Sequence, residues 1–367
     1  MVRAHWIHCC LILVLATTTQ AATFFVDAES GDDTNAGTSA AAPFLHIQRA
    51  VDEAVANPGP DLIQIAAGDY RESIVIDDAD PLTLSGTRGV TVIGPDKKQN
   101  AIWILSGDVT ISDLTVTGGR TGIKAEGPAP APGEDPDPAT WTICLTLRDV
   151  IVHHAGKNGV SADYVDSLTI VHGWFYANPE DGFKAGYANT VSASGTVSEE
   201  NGLVPDKVQD GADLENVGTV RLEDVTIQGN GDDGLEADFC GSVTVIQGRY
   251  CRNGDDGLDI DNTRSISVVG VVAMENPGNG LQVESETNED GAAVVVESIS
   301  IRNGQFLGNE EDGINIIAGS DGAVQKLSLV AITAQDNEES GVEVDIDGSV
   351  KVSALKSENN GLDDVLP

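Results

Sequence analysis

The chain has 367 residues, with 20 Lys and Arg against 59 Asp and Glu and a formal net charge of −39. That balance argues against nucleic acid and other polyanions as partners of the surface as a whole, and it favours cations, above all hard divalent ions that prefer oxygen ligands. The same charge also serves solubility in salty surroundings, so it does not by itself specify a site.

At the N-terminus, Arg3 and His5 precede a short apolar run over residues 9–16, and small residues then lead to Gln20, Ala21 and Ala22. The run is too short to span a bilayer and has the layout of a signal peptide, expected over residues 1–21. No later stretch approaches eighteen consecutive apolar residues. The mature protein is therefore expected to be exported, to the extracellular space or the periplasm, with no membrane contact and as a monomer. Cys9 and Cys10 leave with the leader. Cys144, Cys240 and Cys251 remain, an odd number without metal-ligand spacing, which argues against a disulfide framework. One bridged pair and three small buried thiols are both open, and the small apolar character of Cys favours the second.

Next in the chain, residues 43–56 place Phe44, Ile47, Ala50, Val51, Ala54 and Val55 at helical spacing, with Arg49, Asp52 and Glu53 on the other side. This predicts an amphipathic helix that covers the open end of a core. Residues 22–95 are read as the N-terminal cap with the first coils, and residues 96–367 as repeats.

Self-similarity carries the fold. Glycines that open a short apolar strand occur at Gly122, Gly159, Gly182, Gly211, Gly234, Gly257, Gly280, Gly313, Gly341 and Gly361, and the intervals 159–182, 211–234, 234–257 and 257–280 are each 23 residues. The longer steps contain insertions, among them the Pro-rich stretch 127–138 and residues 286–291. Positions one and three after the glycine are apolar (Leu235 and Ala237, Leu258 and Ile260, Leu281 and Val283), and positions two and four are polar (Glu236 and Asp238, Asp259 and Asp261, Gln282 and Glu284). That is a half-buried strand, repeated once per coil. A repeat of this length with several short strands predicts an all-β parallel β-helix with successive coils about 4.8 Å apart. Asn178, Asn230, Asn253, Asn276, Asn309 and Asn337 each stand four residues before a glycine, the spacing of a stacked asparagine ladder at a turn.

Several stretches carry a resemblance. Phe25-Val26-Asp27, Gly31-Asp32-Asp33, Asn35-Ala36-Gly37-Thr38, Pro43-Phe44, Ile47-Gln48, Ala50-Val51 and Ala67-Gly68-Asp69-Tyr70-Arg71-Glu72 resemble the opening segment of secreted pectate-lyase-like β-helix proteins. The resemblance extends over essentially the whole mature chain and implies a right-handed parallel β-helix. It implies much less about activity.

The densest group of oxygens lies in two adjacent coils, Asn230-Gly231-Asp232-Asp233-Gly234-Leu235-Glu236 and Asn253-Gly254-Asp255-Asp256-Gly257-Leu258-Asp259. Stacked one coil apart, Asp232, Asp233, Glu236, Asp255, Asp256 and Asp259 are expected to converge on one cation, and calcium takes six to eight such oxygens at about 2.3–2.6 Å. The run Asp255, Asp256, Asp259 also resembles the calcium motif of a β-helical pectate lyase family, in which an acid of the preceding coil completes the site; Asp232 or Asp233 takes that part. An acidic solvated face is the other reading, because acids continue at Glu311, Asp312, Glu338 and Glu339.

Cleavage of a polyuronate by β-elimination needs neutralisation of the uronate carboxylate, a base for the α-proton and an acid or water for the leaving oxygen. In the lyase family a lysine follows the calcium motif by a coil or two, yet residues 259–325 contain no lysine. Lys184 is the substitute, in the outward column of Asp213, Glu236 and Asp259 and two coils from Glu236. Arg252, Arg264, His153, His154 and His172 are weaker candidates. The Gly-His-Gly and Arg-Ile-Lys elements of β-helical polygalacturonases and the Asp-Pro-His element of alginate epimerases are missing, which disfavours those activities. Trp174, Phe175 and Tyr176 form one aromatic cluster, read either as a sugar platform or as core packing. Two functions follow from this sequence, a calcium-assisted polyuronate lyase and a non-catalytic solenoid that binds calcium or glycan.

Overall fold

The computed structural model describes residues 21–77, 80–87, 90–94, 96, 98–204, 209–286, 294–319 and 322–366. The expected leader, Ala21 apart, lies outside the described residues. Within them the chain is an all-β, right-handed parallel β-helix with one short α-helix near its N-terminus. No helix there is long and apolar enough to cross a membrane.

A coil consists of a leading strand after the glycine, a middle strand and a short third strand. In the coil opened by Gly234 these are Leu235–Asp238, Ser242–Ile246 and Arg249–Cys251. Leading and middle strands join one 21-stranded sheet, and third strands form a 12-stranded sheet. Pairing is parallel and in coil register, as in Leu235 with Leu258, Val243 with Ile266 and Tyr250 with Ala273. The expected inward residues Leu235, Ala237, Leu258, Ile260, Leu281, Val283, Ile314, Ile316, Val342 and Val344 are all buried. Third strands add one inward residue each, among them Phe175, Tyr250 and Phe306. Each large aliphatic or aromatic side chain removed from water in this way contributes about 1.5–3 kcal/mol.

Between leading and middle strands the chain bends through one left-handed residue, Tyr164, Tyr187, Asn216, Phe239 or Asn262, with φ between 47° and 56°. That conformation turns the chain sharply at a steric cost for a residue with a Cβ, offset here by stacking: the Tyr164 and Tyr187 rings lie 5.1 Å apart and nearly parallel. The column glycines serve a different need. A Cβ at Gly257 or Gly280 would stand 2.6–2.7 Å from the carbonyl oxygen of the next column glycine, so these positions are empty because the coils meet there.

The asparagine ladder is longer than expected. It runs Asn178, Asn201, Asn230, Asn253, Asn276, Asn309, Asn337, Asn360, each amide Nδ2 donating to the next Oδ1 at 3.0–3.4 Å. Each Oδ1 also accepts the backbone N–H of the preceding asparagine, as Asn253 does from Asn230 at 3.3 Å. Gly361 is corrected by this pattern. It follows the last rung, as Gly231 follows Asn230, and opens no strand.

The helix α1 spans Ile47–Ala56 rather than residues 43–56. Phe44 is extended and bridges Val26. The helix starts at Ile47 because the carboxylate of Glu72 accepts the first backbone N–H groups, from Ile47 at 2.8 Å and Gln48 at 2.9 Å. Its buried Ile47, Ala50, Val51 and Ala54 cover the N-terminal end of the core. At the other end, the strands Ser349–Ser353 and Lys356–Glu358 keep only intermediate or exposed residues. Cys144, Cys240 and Cys251 are free thiols, the last two buried.

Candidate functional site

Asp181, Asp210, Asp233, Asp256 and Asp312 each stand immediately before a column glycine, in the turn that enters the leading strand, and they stack with Asn279 among them. The backbone N–H of each donates to a carboxylate or amide oxygen one coil back: Asp210 to Asp181 at 3.2 Å, Asp233 to Asp210 at 2.9 Å, Asp256 to Asp233 at 2.7 Å, then Asn279 to Asp256, and Asp312 to Asn279 at 3.1 Å. Asp181, Asp210, Asp256 and Asp312 are buried in this column. Burial is the main cause of their shifted acidity, with the neighbouring carboxylates adding to it. Asp233 is pushed up to about 8, Asp181 and Asp256 to about 7 and Asp312 to about 6. Near neutral pH such a column therefore keeps part of its protons, and a cation beside it would favour their release.

The six acids expected to form one set are divided by the structure. Oxygens of Asp232, Asp233 and Asp255 lie within 4.8 Å of one another on the outer side of the turn. Asp256 is committed to the buried column through Asn279. Glu236 faces Asp210, and the two share a hydrogen bond that burial and mutual repulsion make possible only with one proton between them. Asp259 is held in the same way against Asp261 on its own strand. One oxygen of Asp259 is buried and has no hydrogen-bond partner. The column Lys184, Asp213, Glu236, Asp259 is in register, as the repeat spacing implies.

Lys184 points at Asp213 and forms an ion pair with it. Burial disfavours the ammonium, but the charges of Asp213 and Asp181 outweigh that effect and hold its pKa above the ordinary lysine value. Behind the pair lies a second group, in which oxygens of Asp181, Asp210 and Asp213 also come within 4.8 Å of one another, all three residues buried. The sequence reading passed over Asp181 and Asp210 as site residues, although both precede a column glycine as Asp233 and Asp256 do. The shared position was the signal.

The remaining candidates lie elsewhere. Phe175 is core, 5.8 Å from Phe183, whereas Trp174 is 40% exposed and donates its indole N–H to Glu199 at 2.9 Å. Tyr176 stacks on His153 at 4.8 Å, and His153 contacts His154 through their Nδ1 atoms at 2.7 Å. Arg264 and Arg252 lie on the surface beside Glu297 and Glu275.

With this geometry in view, the chain resembles known structures in fold. The catalytic unit of a thermostable GH87 α-1,3-glucanase from Streptomyces thermodiastaticus superposes with a TM-score of 0.55 at 16% identity, covering 92% of this chain and 68% of that one. A mannuronan C-5 epimerase A-module from Azotobacter vinelandii gives 0.50 at 16% identity, covering 93% and 96%. Pectate lyase Pel9A gives 0.44 at 15% identity, covering 94% and 80%. No curated protein sequence matches the chain. The family described as right handed beta helix region matches residues 100–295, more than half of the chain. The repeat of strand, corner and ladder therefore has a family attached to it, and this chain belongs to the right-handed β-helix region family.

Proposed function

We propose that this is an exported β-helix protein that binds acidic polysaccharide through calcium held on its acidic turns. The observation that carries the reading is the meeting of oxygens of Asp232, Asp233 and Asp255, from two adjacent coils, at one point. Hard oxygen donors of this kind suit calcium, with waters completing the shell. Calcium bound there supplies positive charge for a uronate carboxylate that the bare face would repel. The folds named above belong to an α-1,3-glucanase and a mannuronan C-5 epimerase, both carbohydrate-directed, and that agrees with a glycan partner.

β-Elimination asks more of the chain. Lys184 would have to take the proton next to the uronate carboxylate, and a lysine does that only when neutral. Its pair with Asp213 keeps the proton on nitrogen. In this state Lys184 donates hydrogen bonds to an anionic sugar and is a poor base, so binding is the reading the geometry supports better than cleavage.

The test is calorimetric titration of calcium into wild type and into Asp232→Asn with Asp255→Asn, two residues outside the buried column. Binding in the range of about 10⁻⁴–10⁻³ M, as in extracellular calcium modules, and at least tenfold weaker in the double variant, is expected. Retention on immobilised polygalacturonate should require calcium. Equal calcium uptake by both proteins would reject the site, and unsaturated products formed by wild type but not by Lys184→Ala would restore the lyase.

A further inference from the structure

The outward column of leading strands changes character along the solenoid. Toward the C-terminus it reads Asp213, Glu236, Asp259; toward the N-terminus it reads Lys124, in register with Trp103, which is in register with Val75. Beside Trp103 and Lys124 lies a cavity of about 550 Å³, which Lys98, Gln99, Asn100 and Arg120 also line. In a chain with 20 basic residues against 59 acidic ones, the cations Lys98, Arg120 and Lys124 outnumber the single acid that lines this cavity, Glu126.

The donors at this cavity are poorly used. Lys98 and Arg120 are exposed and have no ion pair among the described residues. Lys124 lies 2.8 Å from Glu126 and keeps further N–H donors. Trp103 lines the same cavity, its indole N–H buried without a hydrogen-bond partner. Arg120 is held against the loop that carries the amides, its backbone N–H donating to the carbonyl of Gln99 at 2.6 Å.

We propose that this cavity is a second glycan site, one that binds a uronate residue directly and needs no metal ion. The guanidinium of Arg120 suits a planar carboxylate, Lys98 and Lys124 add charge, the Gln99 and Asn100 amides suit hydroxyls, and Trp103 offers an apolar surface. The choice of probe rests on the polyuronate reading above, but the site does not depend on calcium.

The experiment is titration of full-length mature protein with tetragalacturonate and with tetramannuronate in EDTA, followed by tryptophan fluorescence and calorimetry. Wild type should bind at least one of them, and binding should weaken as salt is added. The methyl ester of the bound oligomer, which has lost the charge, should bind about tenfold more weakly or worse, as expected for loss of a charge-assisted contact. Lys98→Gln with Arg120→Gln should weaken binding by a similar factor at unchanged melting temperature. Asp232→Asn with Asp255→Asn should bind as wild type, which separates this site from the calcium site. Failure to bind either oligomer, equal affinity for the ester, undiminished binding by the Gln variant, or preference for a sulfated neutral oligosaccharide would each overturn the assignment.

Discussion

Gly280 is a residue whose side chain is excluded by its neighbours rather than by its backbone angles. A Cβ there would meet the Gly313 carbonyl oxygen at 2.6 Å, the Asn309 amide nitrogen at 2.8 Å and the Phe306 ring at 2.9 Å. None of these can retreat without opening the ladder, so Gly280→Ala should cost about 2–3 kcal/mol, at the upper part of the range for overpacking. Gly229 is the control. It has φ 64°, but a Cβ there meets nothing within 4 Å, and Arg252 and Glu275 occupy the same corner of later coils. Gly229→Asn should therefore move the unfolding midpoint little, because Asn tolerates the left-handed region. Similar shifts for the two variants in urea unfolding would show that coil spacing is not what the column glycines protect. The 23-residue recurrence made these glycines visible in the sequence. Their reason was not visible, because it is a distance between residues one coil apart.

The stacked aspartates are an element in their own right, and they tie folding to pH. Asp181, Asp233, Asp256 and Asp312 have folded-state pKa values of about 7, 8, 7 and 6, all above the ordinary value of 3.8. Between those limits the folded chain binds more protons than the unfolded chain, so stability falls as pH rises. Metal-free protein should thus melt at a higher temperature near pH 5 than near pH 8, and calcium should raise the midpoint more at pH 8, where the carboxylates are ionised. Thermal scans with and without calcium at the two pH values check this, and a midpoint that climbs from pH 5 to pH 8 without calcium would refute it. The sequence showed acids before the glycines but gave no sign that one oxygen of each braces the next coil. Periodicity alone likewise missed Asn201, which a longer turn places ten residues before Gly211 instead of four. It also began α1 too early, since the cap on its first turn comes from Glu72, far along the chain.

At the scale of the whole molecule, the fold was legible because a solenoid repeats its instructions, whereas the surface trio, the buried column and the pairing of Glu236 with Asp210 depend on stacking that no single coil encodes. Coils contact mainly their neighbours, so stability is close to a sum of adjoining interfaces. The two ends of that sum differ. One is closed by α1, with Ile47, Ala50, Val51 and Ala54 buried, and the other presents Ser349–Ser353 and Lys356–Glu358 with none of their residues buried. Such an arrangement behaves as a zipper with one fastened end. Opening is expected to begin at the exposed coil and to advance inward one rung at a time, from Asn360 to Asn337 to Asn309, each step releasing one amide pair. Amide hydrogen exchange should then give a gradient of protection that rises from the strand at Lys356 toward the coils under α1. Uniform protection along the solenoid would mean that all coils open together. A graded result would mean that fraying, rather than global unfolding, sets how often a protease reaches the backbone of the last coils.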